Sequence, residues 1–293
     1  MSDFRRSRAI LALGAVLLAA IAPPCAAQAP DSLLFGDPPG DEPKPFGRGF
    51  ISLDGRHEYG LSLSPDGSEL FFTAEKGPAG GPSGLLVTRK SHDGAWSLPE
   101  AADLRRQGRW EFEAFHSPDG QSLVFAGDDE EGKARLFLAR RSDGGWGSPA
   151  PIAGPVNASD AFWPSLARDG TLYYTDIRKA QIYVAPLKDG AYPACERIGF
   201  ARGIIHPSVA PDGSFLLCNS DRDVLVAFRS ASGGWGFPQR LGPAIDTAQY
   251  DEGCASLSPD GKYIFFSRYD GAGGKADIYW VSSSVVESLR PKP

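Results

Sequence analysis

Carboxylates, imidazoles and indoles recur in this chain at fixed distances ahead of five aspartates, Asp66, Asp119, Asp169, Asp212 and Asp260. Eight residues before them stand Glu58, Glu111, Ala161, Ile204 and Glu252, and nine before them His57, Trp110, Asp160, Gly203 and Asp251. Six before them come Glu113, Trp163, His206 and Cys254. An acidic ring of this kind can bind a metal ion or a cationic ligand group. Aromatic faces stack on sugars or cations, and His with Glu can exchange protons near neutral pH. The competing reading is structural: an acid repeated at one place in a repeat caps backbone amides of its neighbour. A structural role is served by the same residue in every unit, so the positions where units differ carry more information. The expected ligand-binding set is therefore His57, Trp110, Glu113, Trp163 and His206, with Glu58, Glu111, Asp160, Asp251 and Glu252 around them. His116, three before its aspartate where other units have Leu or Val, reads as a core or rim substitution. No Gly-x-Ser-x-Gly elbow, paired-His zinc spacing, phosphate loop or dinucleotide fingerprint is present, so no catalytic residue, metal ligand or cofactor is assigned. A structural cation such as calcium is compatible with the acidic ring.

The aspartates belong to turns. Ser64-Pro65-Asp66-Gly67 is echoed by Ser117-Pro118-Asp119-Gly120, Ala167-Arg168-Asp169-Gly170, Ala210-Pro211-Asp212-Gly213 and Ser258-Pro259-Asp260-Gly261. Pro presets the first corner, Asp bonds its own backbone two residues on, and Gly accepts positive φ. An aromatic or β-branched run follows each turn, as in Glu69-Leu70-Phe71-Phe72-Thr73 and Tyr263-Ile264-Phe265-Phe266-Ser267, so each motif is a hairpin. Third strands follow at Leu85 to Arg89, Arg135 to Arg140, Gln181 to Ala185, Val224 to Arg229 and Asp277 to Val281. An aromatic comes next in four units, Trp96, Trp146, Tyr192 and Trp235, and Pro99, Pro149 and Pro238 suit an edge strand. The aspartates are 53, 50, 43 and 48 residues apart, in or near the range of about 40 to 50 residues for a propeller blade. The expected fold is all-β, a propeller of four-stranded antiparallel blades: five by motif count, or six if the chain divides into units of about 44 residues. Residues 46 to 53, around Phe50-Ile51-Ser52, are expected to supply the strand that lets the two ends of the chain pair.

Composition agrees with a turn-rich domain, with 35 Gly and 25 Pro in 293 residues. Arg5, Arg6 and Arg8, an apolar run from Ile10 to Ile21 and Cys25-Ala26-Ala27 read as a secretory signal over residues 1–27. Residues 28–45 are an extended leader rich in Pro, Gly and acids, and residues 46–293 form one propeller domain. The twelve-residue apolar run is shorter than the roughly 20 residues of a membrane-spanning helix, so no membrane span is expected and the protein is placed in the periplasm or outside the cell. The net charge of −6 becomes −8 without residues 1–27, which argues against nucleic acid. Cys195, Cys218 and Cys254 remain, an odd number, and spacing does not choose among buried fillers and one disulfide.

The last unit resembles a known repeat. Gly234-Trp235-Gly236-Phe237-Pro238, Asp251-Glu252, Ser258-Pro259-Asp260-Gly261-Lys262, Ile264-Phe265-Phe266-Ser267 and Asp277-Ile278-Tyr279 are similar to the Pro-Asp, WD-like repeat of bacterial envelope propellers of the TolB kind. The resemblance implies a periplasmic protein-binding scaffold, and the complete repeat set beside the missing catalytic motif leads to the expectation of a monomer that binds an envelope protein or a small ligand, without catalysis, at one mouth of its central channel. The chain lacks the α/β domain that precedes the TolB propeller, which separates it from a role in the Tol system. An enzyme on the same scaffold, a glycan lyase or hydrolase using the acids and His57 and His206, is the alternative, since fold does not imply function.

Overall fold

A computed structural model of the chain describes residues 28–29, 34–75, 84–104, 109–271 and 275–292. The signal segment and Cys25 lie outside these residues. Each turn aspartate plays the same part. Its Oδ1 accepts the N–H of Ser68, Gln121, Thr171, Ser214 or Lys262 at 2.9–3.1 Å. The glycine that follows takes φ between 68° and 83°, and its N–H closes the turn on the carbonyl three residues back.

The hairpins extend into antiparallel sets. The first is His57–Leu63, Glu69–Glu75, Gly84–Arg89 and Glu100–Ala101. The second is Glu111–His116, Ser122–Asp128 and Ala134–Ser142, with Gly145–Trp146 and Ala150–Pro151 both on its third strand. Four-stranded sheets follow at Ala161–Leu166, Leu172–Asp176, Gln181–Ala185 and Glu196–Arg197, and at Ile205–Val209, Phe215–Asn219, Val224–Phe228 and Gln239–Arg240. The last set is Asp251–Leu257, Tyr263–Asp270 and Lys275–Ser282, and its outer partner comes from the other end of the chain.

That outer partner is Lys44–Pro45, paired antiparallel with Tyr279 and Trp280. Phe46 continues it by donating its N–H to Ile278 O at 2.7 Å. The strand therefore lies just before the residues 46–53 expected to supply it, and the cause is local. Gly47 and Gly49 take φ of 55° and 81°, and Gly47 O accepts the N–H groups of Phe50 and Ile51, which curls this stretch into a turn. Ser52 still reaches the same strand, its Oγ accepting the Ile278 N–H at 3.0 Å.

Each middle strand carries an unbroken apolar run, such as Leu70-Phe71-Phe72 or Ile264-Phe265-Phe266, because both faces of each sheet are covered. Along Leu70-Phe71-Phe72, alternate side chains enter two different clusters. The core comprises five clusters, each built mainly from two consecutive sets, and one joins the last set to the first through Phe46, Leu70, Phe72, Phe265 and Trp280. Leu34, 2% exposed, also belongs there. The first strand of each set touches the first strand of the next, and Asp251–Leu257 touches His57–Leu63. Among the described residues no helix is long and apolar enough to cross a membrane.

Candidate functional site

The first strands share one irregularity. Pairing with the second strand shifts register between Tyr59 and Ser62, Phe112 and Phe115, Phe162 and Ser165, Ile205 and Ser208, and Gly253 and Ser256. Each shift is a bulge, and the residue six before the turn aspartate sits in it with left-handed backbone: Gly60 at φ 66°, Glu113 at 57°, Trp163 at 51°, His206 at 54° and Cys254 at 57°. Left-handed backbone costs an L residue about 1–2 kcal/mol relative to its usual conformation. Only the first set uses glycine. In the other four the strain is kept together with a carboxyl, an indole, an imidazole and a thiol, and strain of this kind clusters at functional sites.

In the first and third sets the residue that faces position minus seven across the hairpin pins the bulge of the next set. Thr73 Oγ1 accepts the Glu113 N–H and Thr175 Oγ1 the His206 N–H, each at 2.9 Å, in the next set. Ser267 Oγ donates to Glu58 O at 3.0 Å. The second set has Ala126 at this place, opposite Phe112, and no hydroxyl to offer. There Glu113 substitutes for it, Oε2 accepting the Trp163 N–H at 2.8 Å. Glu113 Oε1 makes no hydrogen bond to a described residue.

These residues meet where the first strands converge. Trp163 lies parallel to Tyr59 at 6.2 Å and stacks on His206 at 4.7 Å between ring centroids. Beyond it is a void of about 10 Å³ walled by all five first strands through Gly60, Glu113, Pro164, Ser208 and Ala255, enough for about one water. On the other side His57 packs against Tyr59 and Tyr269 at 5.2 and 4.8 Å. Tyr269 Oη is 3.0 Å from Cys254 Sγ, and Tyr59 Oη donates to Glu75 at 3.3 Å. A cavity of about 890 Å³ opens beside this cluster, lined by Tyr59, Glu75, Trp110, Phe112, Glu113 and Phe162.

Electrostatics follow from burial. Burial pushes the Glu113 carboxyl up to about 8, the bond from the Trp163 N–H acting the other way. Burial lowers His206 to about 4, so its imidazole is neutral, and its Nδ1 is buried without a hydrogen-bond partner among the described residues. Burial also raises the Cys254 thiol, with the Tyr269 hydroxyl beside it acting the other way. The site thus holds a protonated carboxyl, a neutral imidazole, a neutral thiol and several aromatic faces.

The other expected site residues lie apart from this cluster or at its border. His57 is at its edge, and Trp110, 74% exposed, and Glu111 flank the cavity. Glu58 is turned away, accepting the Leu53 N–H and the Arg56 guanidinium. Glu252 binds Thr247 and Arg268. Asp160 pairs with Arg178 at 2.6 Å and Asp251 with Arg222. Tyr59, Thr73, Glu75 and Tyr269 did not stand out in the sequence because three of them come from second strands. Position minus seven would have shown Tyr59, since it reads Tyr59, Phe112, Phe162, Ile205 and Gly253. Among the described residues no group of three or more His, Cys, Asp or Glu is arranged to hold a metal ion.

A second constellation has the residue types of a nucleophilic triad. His116 Nδ1 is 3.0 Å from Ser62 Oγ and its Nε2 3.4 Å from Glu69 Oε2. Ser62 and His116 are 6% and 4% exposed, and Ser62 Oγ also accepts the His116 backbone N–H. Glu69 further accepts Arg89, Arg141 and the Trp146 indole N–H. This is a sealed clamp between the first two sets.

No family model and no curated protein matches the chain. Solved structures do. It is similar to a protein of Agrobacterium tumefaciens assigned as a TolB, at 22% identity and a TM-score of 0.50, over 73% of this chain and 70% of that one. It is also similar to a thermostable family-43 glycoside hydrolase at 13% identity and a TM-score of 0.53, over 78% of this chain and 89% of that one. The fold is a TolB-like β-propeller.

Proposed function

We propose that the protein is an exported five-bladed propeller, cleaved after residue 27, that binds a ligand at the mouth of its central channel without transforming it. The five sets are its blades, and Lys44–Pro45 closes the ring as the outer strand of the fifth. One observation carries the reading. Four different L side chains are held in left-handed backbone around a single ring, although glycine is tolerated there in the first blade. That strain has a use if Glu113, Trp163, His206 and Cys254 serve what enters the mouth.

Thermal shift of the mature protein with sugars, amino acids, amines and short peptides tests it. A ligand that raises the melting temperature stabilises by mass action, and Trp163→Gly, whose glycine suits φ 51°, is expected to abolish its shift. Shifts that survive in that variant refute binding at the mouth. A glycan-cleaving enzyme is the second reading, favoured by Glu113, which keeps its proton near neutral pH beside an open cavity. Product formed from a glycan by the wild type and not by Glu113→Gln would establish it and overturn the binding reading.

A further inference from the structure

At the end that carries the turn aspartates, the junctions between consecutive sets are filled in different ways. Between the last set and the first, Phe35 packs on Phe46, Trp96 and Trp280 at 5.5, 6.1 and 6.3 Å, and Gln28–Ala29 pairs with Trp96 and Ser97. Between the fourth and fifth, Val286 of the terminal helical turn is fully buried in one cluster with Phe215 and Leu241. Trp146 fills the first junction with its indole N–H on Glu69, and Tyr192 the second with its hydroxyl on Gly170 O. The third and fourth sets differ. Trp235 there is half-buried, Phe237 is 97% exposed, and a cavity of about 560 Å³ separates them from Tyr173, Val184 and Ile198. Residues 109–271, which supply both sets, are described without a break. Strand register puts Val184, Ile198 and Trp235 at the places that Trp280, Phe46 and Trp96 hold around Phe35. The smaller Val184 and Ile198 leave open what Phe35 fills there.

The backbone repeats the correspondence. Ser230 and Gly236 donate their N–H groups to Gly234 O and Phe228 O at 2.8 and 2.9 Å. Alternation along an antiparallel pair then turns the N–H and C=O of Trp235 to the opposite side, where neither bonds a described residue. In the first set Ala29 takes this edge, opposite Trp96. We propose that the cleft between the third and fourth sets docks a short segment of a partner protein. The segment pairs its backbone with Trp235 and buries an aromatic or large aliphatic side chain in the cavity. Main-chain bonds of such an added strand supply affinity and the side-chain pocket supplies specificity. The rim carries both signs, Arg197 and Arg229 with Asp169 and Glu196, so the apolar anchor selects the partner. This chain's own leader and tail are seated in their own junctions, which leaves another protein as the source. The cleft lies at the opposite end of the sets from the mouth, and its occupation is independent of a ligand there.

The test is selection of random twelve-residue peptides, displayed on phage, against the mature protein, followed by fluorescence anisotropy with synthetic peptides of the enriched sequences. Gly199 lines the cavity and a Cβ there meets nothing within 4 Å, so Gly199→Trp fills the cleft without displacing a packed side chain. Enriched peptides are expected to share one Phe, Tyr, Trp or Leu. Their affinity should fall at least tenfold when that residue becomes Ala and at least tenfold in Gly199→Trp, and be unchanged in Trp163→Gly. Bound peptide should slow amide exchange at Trp235. If Gly199→Trp melts below the wild type, Phe237→Ser, at a fully exposed ring, gives the same comparison with a loss of at least threefold. No enrichment, enriched peptides without an apolar anchor, or affinity indifferent to Gly199→Trp and Phe237→Ser overturns the proposal. Peptides that lose affinity only in Trp163→Gly bind the mouth, which refutes the cleft and leaves the reading above intact. A concentration-dependent dimer that Gly199→Trp dissociates makes a second copy the occupant and overturns the partner class.

Discussion

Replacing Glu113 by glutamine should make the protein more stable, by an amount that grows with pH. In the folded chain burial pushes this carboxyl from 4.5 to about 8. Between those values the native state holds a proton that the unfolded chain has released, so stability falls with rising pH at about 1.4 kcal/mol per unit. At pH 7 the loss reaches about 3 kcal/mol, and by pH 8 it approaches 5 kcal/mol as an upper bound. Glu113 is only half-buried, and screening by solvent reduces both figures. Glutamine keeps a carbonyl for the Trp163 N–H, now 2.8 Å from Oε2, and does not ionise. Thermal unfolding from pH 4.5 to pH 8.5 is the assay. The two proteins should melt together near pH 4.5 and separate as pH rises. At about 2–4 °C per kcal/mol for a domain of this size, the gap at pH 7 should be several degrees. A structural carboxylate would give the opposite sign. Melting curves that stay parallel, or a variant that melts lower at pH 8, would show that Glu113 does not hold its proton.

Three further outcomes are expected. Glu69 behaves oppositely: burial opposes its ionisation, but His116, Arg89 and Arg141 lower it from 4.5 to about 2. Its contribution is present above pH 4.5 and lost as pH falls towards 2, so Glu69→Gln should cost about 2 kcal/mol at pH 7 by urea unfolding, with the difference vanishing in acid. Asp66→Ala removes the bonds to Ser64, the Ser68 N–H and the Ser68 hydroxyl, and should cost about 1 kcal/mol while ligand-induced thermal shifts are unchanged. Phe46 is fully buried against Phe265 and Trp280 at 5.0 and 5.6 Å, so Phe46→Ala should cost about 3–5 kcal/mol in denaturant unfolding.

The turn aspartates made the hairpins legible because Pro-Asp-Gly states its backbone geometry in its own chemistry. The special position six residues upstream was visible only as disagreement among Glu113, Trp163, His206 and Cys254. Nothing in those residue types announces left-handed backbone. That conformation follows from the bulge, which depends on pairing with the second strand and on Thr73 and Thr175 reaching into the next set. The acids eight before three of the aspartates looked alike in sequence, yet Glu58 and Glu252 are committed to Arg56 and Arg268. Partners supplied by loops and by the next strand decided this, and a single repeat does not display them. The closing strand was displaced for a similar reason: Phe50-Ile51-Ser52 has strand composition, but Gly47 and Gly49 bend the chain first.

The pairing of Lys44–Pro45 with Tyr279 and Trp280 has a consequence for the order of events during synthesis. The segment made early cannot settle until the last sheet exists, for the bond from Ile278 to Ser52 spans 226 residues. At about 5–20 residues per second, the leading end waits tens of seconds for its partner. Once made, the third strand of the final sheet, Lys275–Ser282, keeps an uncovered edge able to pair with another chain until Lys44–Pro45 docks on it. The two-residue strand that completes the fold is also what ends the interval in which the nascent protein can aggregate.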